Sequence, residues 1–157
     1  MRFEKISLEE AMGCCPALHG YEAEEALEWL RLPIRSTANS AGYDFFSPFD
    51  VKAKAGETVS VPLLVKLSVS EDEPKNFVLL IFNRSGLSLK QGLRLDNAVG
   101  VVDADYRQCI WFQATATKDI EIAKGQRICQ GVFMPFLVVD GDEAIGERNG
   151  GFGSTGR

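Results

Sequence analysis

The chain has 157 residues, 45% of them hydrophobic and 25% charged, and a net charge of −5. A chain of this size builds one domain whose core needs no disulfide staples. The negative balance argues against a protein that grips nucleic acid through its phosphates, and no apolar run reaches the length of a bilayer, so neither nucleic acid nor membrane is expected as a partner.

Residues 2–6 suggest a strand, followed by a loop through Gly13, Pro16 and Gly20. "YEAEEALEWLR" (21–31) puts Ala23, Ala26, Leu27 and Leu30 at helical spacing, and Pro33 stops that helix. The opening "MRFEKISLEEAMG" has acidic residues where a secretory signal needs an apolar stretch, so a cytoplasmic location is expected. The cysteines agree with it. Cys14 and Cys15 are adjacent and not easily bridged to each other, and Cys109 and Cys129 sit in apolar segments as small core residues. With His19 as the only histidine and no metal-ligand spacing, the sequence argues against a zinc site and against a Ser-His or Cys-His nucleophile pair.

After Pro33 the pattern becomes β. "YDFFSPFDV" (43–51) is aromatic and extended, "ETVSVPLLVKLSV" (57–69) and "RQCIWFQATA" (107–116) alternate, and "QRICQGVFMPFLVV" (126–139) is the last long β run. "NFVLLIFN" (76–83) is continuously apolar and predicts a strand covered on both faces. Turn signals such as "AKAGE", "EDEP", "KQG" and "AKG" separate these runs, giving an all-β barrel or sandwich.

Five segments do not resemble strand filler. In "SAGYDFF" (40–46), Gly42 suggests a tight backbone and Asp44 is polar among aromatics, although a turn opening a strand would look the same. In "NRSGLSLKQGL" (83–93), Ser85 and Gly86 offer a hydroxyl and backbone N–H groups at a helix start, and Arg84 adds a planar cation. The plainer reading there is a Ser cap beside a surface arginine. In "DNAVGVVDADYRQ" (96–108), two-residue spacing puts Asp103 and Asp105 on one face, where an aspartate can deprotonate a water and Tyr106 can stack on a sugar. A hairpin turn with solvated aspartates fits equally. Gln130, in "GQRICQGVF" (125–133), is either a satisfied core amide or a ligand contact. The glycine-rich ending "RNGGFGSTGR" (148–157) is either a frayed terminus or a backbone able to wrap an anion.

Together these segments resemble the trimeric dUTP pyrophosphatase (dUTPase) family, whose five motifs are matched in order by Ala41–Asp44, Arg84–Leu87, Gly100–Arg107, Gly125–Gln130 and Arg148 with Gly150–Gly156. "LPIRST" resembles the family's lead-in to the first motif, and the likeness covers roughly residues 32–157. Three positions depart from the family pattern: a single residue, Asn149, separates Arg148 from the glycine run, Asn83 stands where proline is common, and Gln108 where glycine is frequent.

The resemblance implies a jelly-roll-like β fold with one short helix near the N-terminus. It divides the chain into an N-terminal extension (1–31), a β domain (32–147) and a C-terminal lid (148–157). It also implies a homotrimer with active sites shared between subunits, and hydrolysis of dUTP to dUMP and pyrophosphate by water attack on the α-phosphate. Mg²⁺ would be held mainly by the triphosphate. Asp103 would be the base, and Tyr106 would pack under the deoxyribose and exclude a 2′-hydroxyl. Asn97 and the hairpin from Gly100, Val101 and Val102 to Trp111 would read uracil. Arg84, Ser85, Gly86 and Gln130 would hold the phosphates, with Asp44 near the metal's water shell. In the lid, Phe152 would stack on uracil, Arg148 and Ser154 would reach the phosphates, and Gly153 would line the bound nucleotide. A dCTP deaminase of the same fold and a nucleotide-gated regulatory protein, with a protein partner at residues 1–31, are the alternatives.

Overall fold

The computed structural model describes residues 1–15, 18, 20–146 and 148, so the expectations for Phe152, Gly153 and Ser154 lie outside the described residues. In chain order the elements are β1 (Arg2–Lys5), α1 (Leu8–Cys14), α2 (Gly20–Trp29), β2 (Ile34–Arg35), β3 (Tyr43–Phe46), β4 (Val51–Ala53), β5 (Thr58–Pro62) and β6 (Val65–Ser68). Then follow β7 (Phe77–Asn83), a π-helical segment (Gly86–Gln91), β8 (Leu93–Leu95), β9 (Gly100–Asp103), β10 (Trp111–Ala116), β11 (Ile120–Ile122) and β12 (Arg127–Pro135).

All the strand pairs among the described residues are antiparallel. The largest sheet runs β2-β3-β12-β7-β9, a second runs β5-β10-β8, and the pairs β1-β6 and β11-β4 complete the jelly-roll-like β fold. Phe45, Leu79, Ile81, Phe112, Ile110 and Ile128 lie almost fully buried in one shared core. That burial of apolar side chains is the main favourable contribution to folding.

β7 forms where the apolar run predicts a strand, but only one of its faces is covered in the single chain. Phe77, Leu79 and Ile81 are buried, whereas Val78, Leu80 and Phe82 are half-exposed. Strand alternation sends them to the opposite side of the sheet. There Val132 lies in register with Leu80, and Met134 with Val78.

Among the described residues the N-terminal segment carries two helices and not one. Residues 8–14, expected in a loop, form α1 because Ser7 and Glu10 make a reciprocal cap. The Ser7 hydroxyl accepts from the Glu10 amide (3.1 Å), and the Glu10 carboxylate accepts from the Ser7 amide (2.7 Å). α2 buries the predicted Ala23 and Ala26, with Leu30 just beyond its end, and these pack into the same core as the β strands. β1 pairs with β6, Phe3 opposite Leu67.

Replacing Ser7 with alanine removes one half of the cap. Unfolding free energy should fall by about 1 kcal/mol, and Ser7→Asp should retain most of it, as read from urea midpoints.

Candidate functional site

The central strand β12 brings the first, second and fourth segments together. Gln130 pairs in register with Asp44 of β3 on one side and with Phe82 of β7 on the other. β7 then runs directly into Arg84, Ser85 and Gly86. These residues, with Gly42, Asp44 and Gln130, line a pocket of ≈ 550 Å³, a size suited to a small ligand. Gly42 permits the packing, because a Cβ there would fall 2.7 Å from Gln130 Oε1. Gln130 Nε2 donates to the Asn83 carbonyl at 3.3 Å.

Asp44 is 7% exposed and accepts three hydrogen bonds, each of 2.9 Å, from Arg84 Nε, Arg127 Nη1 and Ser36 Oγ. Burial by itself would raise its pKa, but the Arg127 and Ser36 bonds and the nearby Arg84 charge hold the carboxyl below the usual aspartate range. Asp44 therefore fixes the Arg84 guanidinium at the pocket. Of the five N–H donors of Arg84, Nε serves Asp44 and one on Nη1 reaches the Arg127 carbonyl at 3.5 Å, which leaves donors for an anion. Ser85 is exposed at the start of the π-helical segment and makes no side-chain cap bond, so its hydroxyl is not consumed as a helix cap.

A second pocket of ≈ 300 Å³ gathers Asn97, Gly100, Val101, Val102, Asp103, Tyr106, Trp111 and Arg148. β9 forms its wall by pairing with β7, and Gly100 lies so close to that strand that a Cβ would come within 3.1 Å of Ile81 Cβ. The turn before β9 holds Ala98 at φ 60°, in the left-handed region that side-chain-bearing residues rarely adopt. Tyr106 is buried against the core, and its hydroxyl donates to the Cys109 carbonyl at 2.9 Å. Burial pushes its pKa up to about 12, so the ring is a neutral wall at ordinary pH. The Asp103 side chain is half-exposed. Arg148 contacts Asp103 through Nη2 and bonds Asp105 through Nε at 2.8 Å, so both aspartates do face one partner.

Asp44, Arg84, Ser85, Gly86 and Gln130 thus form one constellation, and the residues from Asn97 to Trp111 with Arg148 form another. The two pockets have no lining residue in common. The sequence reading overlooked Arg127 and Ser36, which complete the Asp44 cluster. Arg127 lies inside the fourth motif, and Ser36 inside "LPIRST", so a signal for both was present.

A family model described as dUTPase matches residues 29–156. The chain belongs to the dUTPase family. It is 41% identical over 137 residues to the deoxyuridine 5'-triphosphate nucleotidohydrolase of Lactococcus lactis subsp. lactis (strain IL1403), covering 81% of this chain and 89% of that one. The crystal structure of a dUTPase from Streptococcus mutans is 32% identical with a TM-score of 0.66, covering 90% of this chain and all of that chain. A mutant dUTPase from phage phi11 of S. aureus, whose structure shows the coordination of a structural Mg(II) ion, shares the fold at a TM-score of 0.64 and 21% identity, covering 74% of this chain and 91% of that one. The dUTPase match begins at Trp29, so β1, α1 and nearly all of α2 precede it.

The Asp44 cluster makes a prediction about acid stability. A carboxyl held below its unfolded value contributes stability that is complete above the ordinary aspartate pKa of about 3.9 and is lost as pH falls through the lower folded value. Asp44→Asn should therefore be clearly less stable than the parent at pH 7. The gap should narrow below about pH 4, as followed by urea unfolding across pH.

Proposed function

We propose that this chain hydrolyses dUTP to dUMP and pyrophosphate, with Asp103 as the base. The observation that carries this reading is the second pocket, where a half-exposed carboxylate sits beside a buried tyrosine wall at the edge of a tight β hairpin. Asp103 would take a proton from a water as that water attacks the α-phosphorus. The pyrophosphate then leaves as an anion, so no covalent nucleophile is needed. Tyr106 packs under the deoxyribose and leaves no room for a 2′-hydroxyl, while Asn97 and the hairpin backbone read uracil. Arg84, Ser85, Gly86 and Gln130 supply donors to the phosphate oxygens, where charge develops.

Mg²⁺ suits a triphosphate site of this kind. Among the described residues no cluster of three or more acidic, His or Cys side chains forms a protein cage for a metal. Magnesium is commonly bound through substrate phosphates and waters, with few protein ligands. Asp44 keeps about one of its four acceptor positions open after its three hydrogen bonds, enough for an outer-shell water. When bound, the ion neutralises phosphate charge.

The separation of the two pockets supports a homotrimer in which the phosphate pocket of one subunit meets the nucleoside pocket of another. The half-exposed face of Val78, Leu80 and Phe82, with Val132 and Met134 beside it, is suited to contact with further copies of the chain. Arg148 and the residues after it would close over the assembled site as a lid, with Phe152 on uracil, Ser154 at the phosphates and Gly153 against the nucleotide. No helix among the described residues is long and apolar enough to cross a membrane. No observation favours a dCTP deaminase or a purely regulatory nucleotide binder.

Asp103→Asn should lower kcat on dUTP by ~10²-fold or more while a non-hydrolysable dUTP analogue still binds. Near-normal turnover in that variant would remove Asp103 from the role of base. The shared site has its own test, in which Asp103→Asn and Arg84→Ala subunits are unfolded together and refolded as a mixture. If each site takes Asp103 and Arg84 from different chains, about a quarter of sites should regain both by random assortment. A mixture no more active than its components would contradict a shared site.

A further inference from the structure

Asp105 has no part in the proposed hydrolysis, yet the chain fixes it beside the proposed base. β9 ends at Asp103, and the amide of Tyr106 donates to the Asp103 carbonyl at 3.0 Å, closing a turn over Ala104 and Asp105. The Arg107 guanidinium donates to the carbonyl of Ala104, whose side chain is buried. With the turn held in this way, the carboxylates on either side of Ala104 meet the same guanidinium. Arg148 Nε donates to Asp105 Oδ1 at 2.8 Å, and Nη2 of the same group contacts Asp103 Oδ2.

The Arg148 side chain is 24% exposed, whereas both carboxylates are half-exposed, and Arg148 lines the second pocket together with Tyr106 and Trp111. An isolated surface ion pair is worth little, but a guanidinium spread over two carboxylates at a pocket wall has the geometry that makes such pairs count. While Arg148 stays there, an oxygen of Asp103 is taken up by a guanidinium and not by a water. A competitor must offer the guanidinium more than the two aspartates do. A triphosphate does so, because it carries several charges and its oxygens accept paired hydrogen bonds from arginine. A monophosphate has fewer charges and fewer oxygens to offer.

We propose that Asp105 is a positioning residue that holds Arg148 across the base while the site is empty, so that a nucleoside triphosphate, and not a monophosphate, draws the arginine away and frees Asp103. Part of the affinity for a triphosphate is then spent on the contact that its binding breaks. A monophosphate binds with that contact intact, so Asp105 affects the two ligands differently. The choice of ligands rests on the dUTP-hydrolase reading, whereas the hold of Asp105 on Arg148 does not.

The test compares the full-length protein with Asp105→Asn, which removes the charge at nearly constant size, and with Asp105→Glu, which keeps the charge. Without nucleotide, trypsin cleavage after Arg148, followed by mass spectrometry, should be several-fold faster in Asp105→Asn, because a guanidinium held by carboxylates is withheld from the protease. Asp105→Glu should be cut at close to the parent's rate. By titration calorimetry, Asp105→Asn should bind a non-hydrolysable dUTP analogue about twofold to fivefold more tightly than the parent, the range of an ion pair of this kind, with the affinity for dUMP unchanged. A general loosening of the turn would weaken both ligands alike, since Asp103 and Tyr106 belong to the same turn. The proposal is overturned if Asp105→Asn is cut after Arg148 at the parent's rate, if the analogue binds it no more tightly, or if the affinities for the analogue and dUMP change by the same factor. A protein that binds neither nucleotide, but whose Arg148 is released by Asp105→Asn, would refute the proposed function and leave the hold of Asp105 on Arg148 established. Turnover of dUTP with unchanged cleavage would do the reverse.

Discussion

The antiparallel pairing of β12 on both of its sides is the constraint on which the rest of the molecule depends. Its register sets Gln130 between Asp44 and Phe82, so three motifs far apart in the chain arrive together on the inner strands of the large sheet. A shift of one residue would turn Gln130 away from the pocket and carry buried Ile128 and Cys129 out of the core arrangement, because side chains in a strand alternate between faces. The core that makes such a slip unfavourable is therefore also what assembles the site.

On that frame, Asp44 organises charge. Two arginines and a serine converge on a carboxylate that is nearly buried. Desolvating these groups offsets much of their attraction, so the cluster is better understood as positioning Arg84 than as a large net source of stability. A guanidinium already held in place loses little rotamer freedom when an anion binds. The second pocket has a different balance. Asp103 and Asp105 are half-exposed and share Arg148, so in the single chain the proposed base faces a cation at the very point where the C-terminal segment begins. Under the proposed function, nucleotide binding that draws Arg148 toward phosphates would free Asp103 for water.

The N-terminal segment is built into the same core. β1 lies on β6, and Ala11, Cys15, Ala23, Ala26 and Leu30 pack among the strand residues even though the family match begins only at Trp29. Cys15 also shares a cavity with Trp111, which lines the second pocket as well. Sequence that precedes the family match is thereby packed beside the second pocket.

Much was legible in the order of residues alone. The strand runs follow from alternation, the helical face of α2 follows from Ala23, Ala26 and Leu30, and the five ordered motifs identify the family because each couples a turn or strand end to a residue with definite chemistry. Ser7 and Glu10 carried the signal for α1, but a seven-residue helix has too little apolar periodicity to stand out until its cap is considered. The tertiary structure alone decided the rest. The uncovered face of β7, the recruitment of Arg127 and Ser36 to Asp44 and the division of the motifs between two pockets all depend on pairings between distant segments. Local sequence sets what a segment prefers and what chemistry it carries. Which side chains then become neighbours is fixed only when the sheet register and the shared core are formed, because those contacts join residues that no local pattern relates.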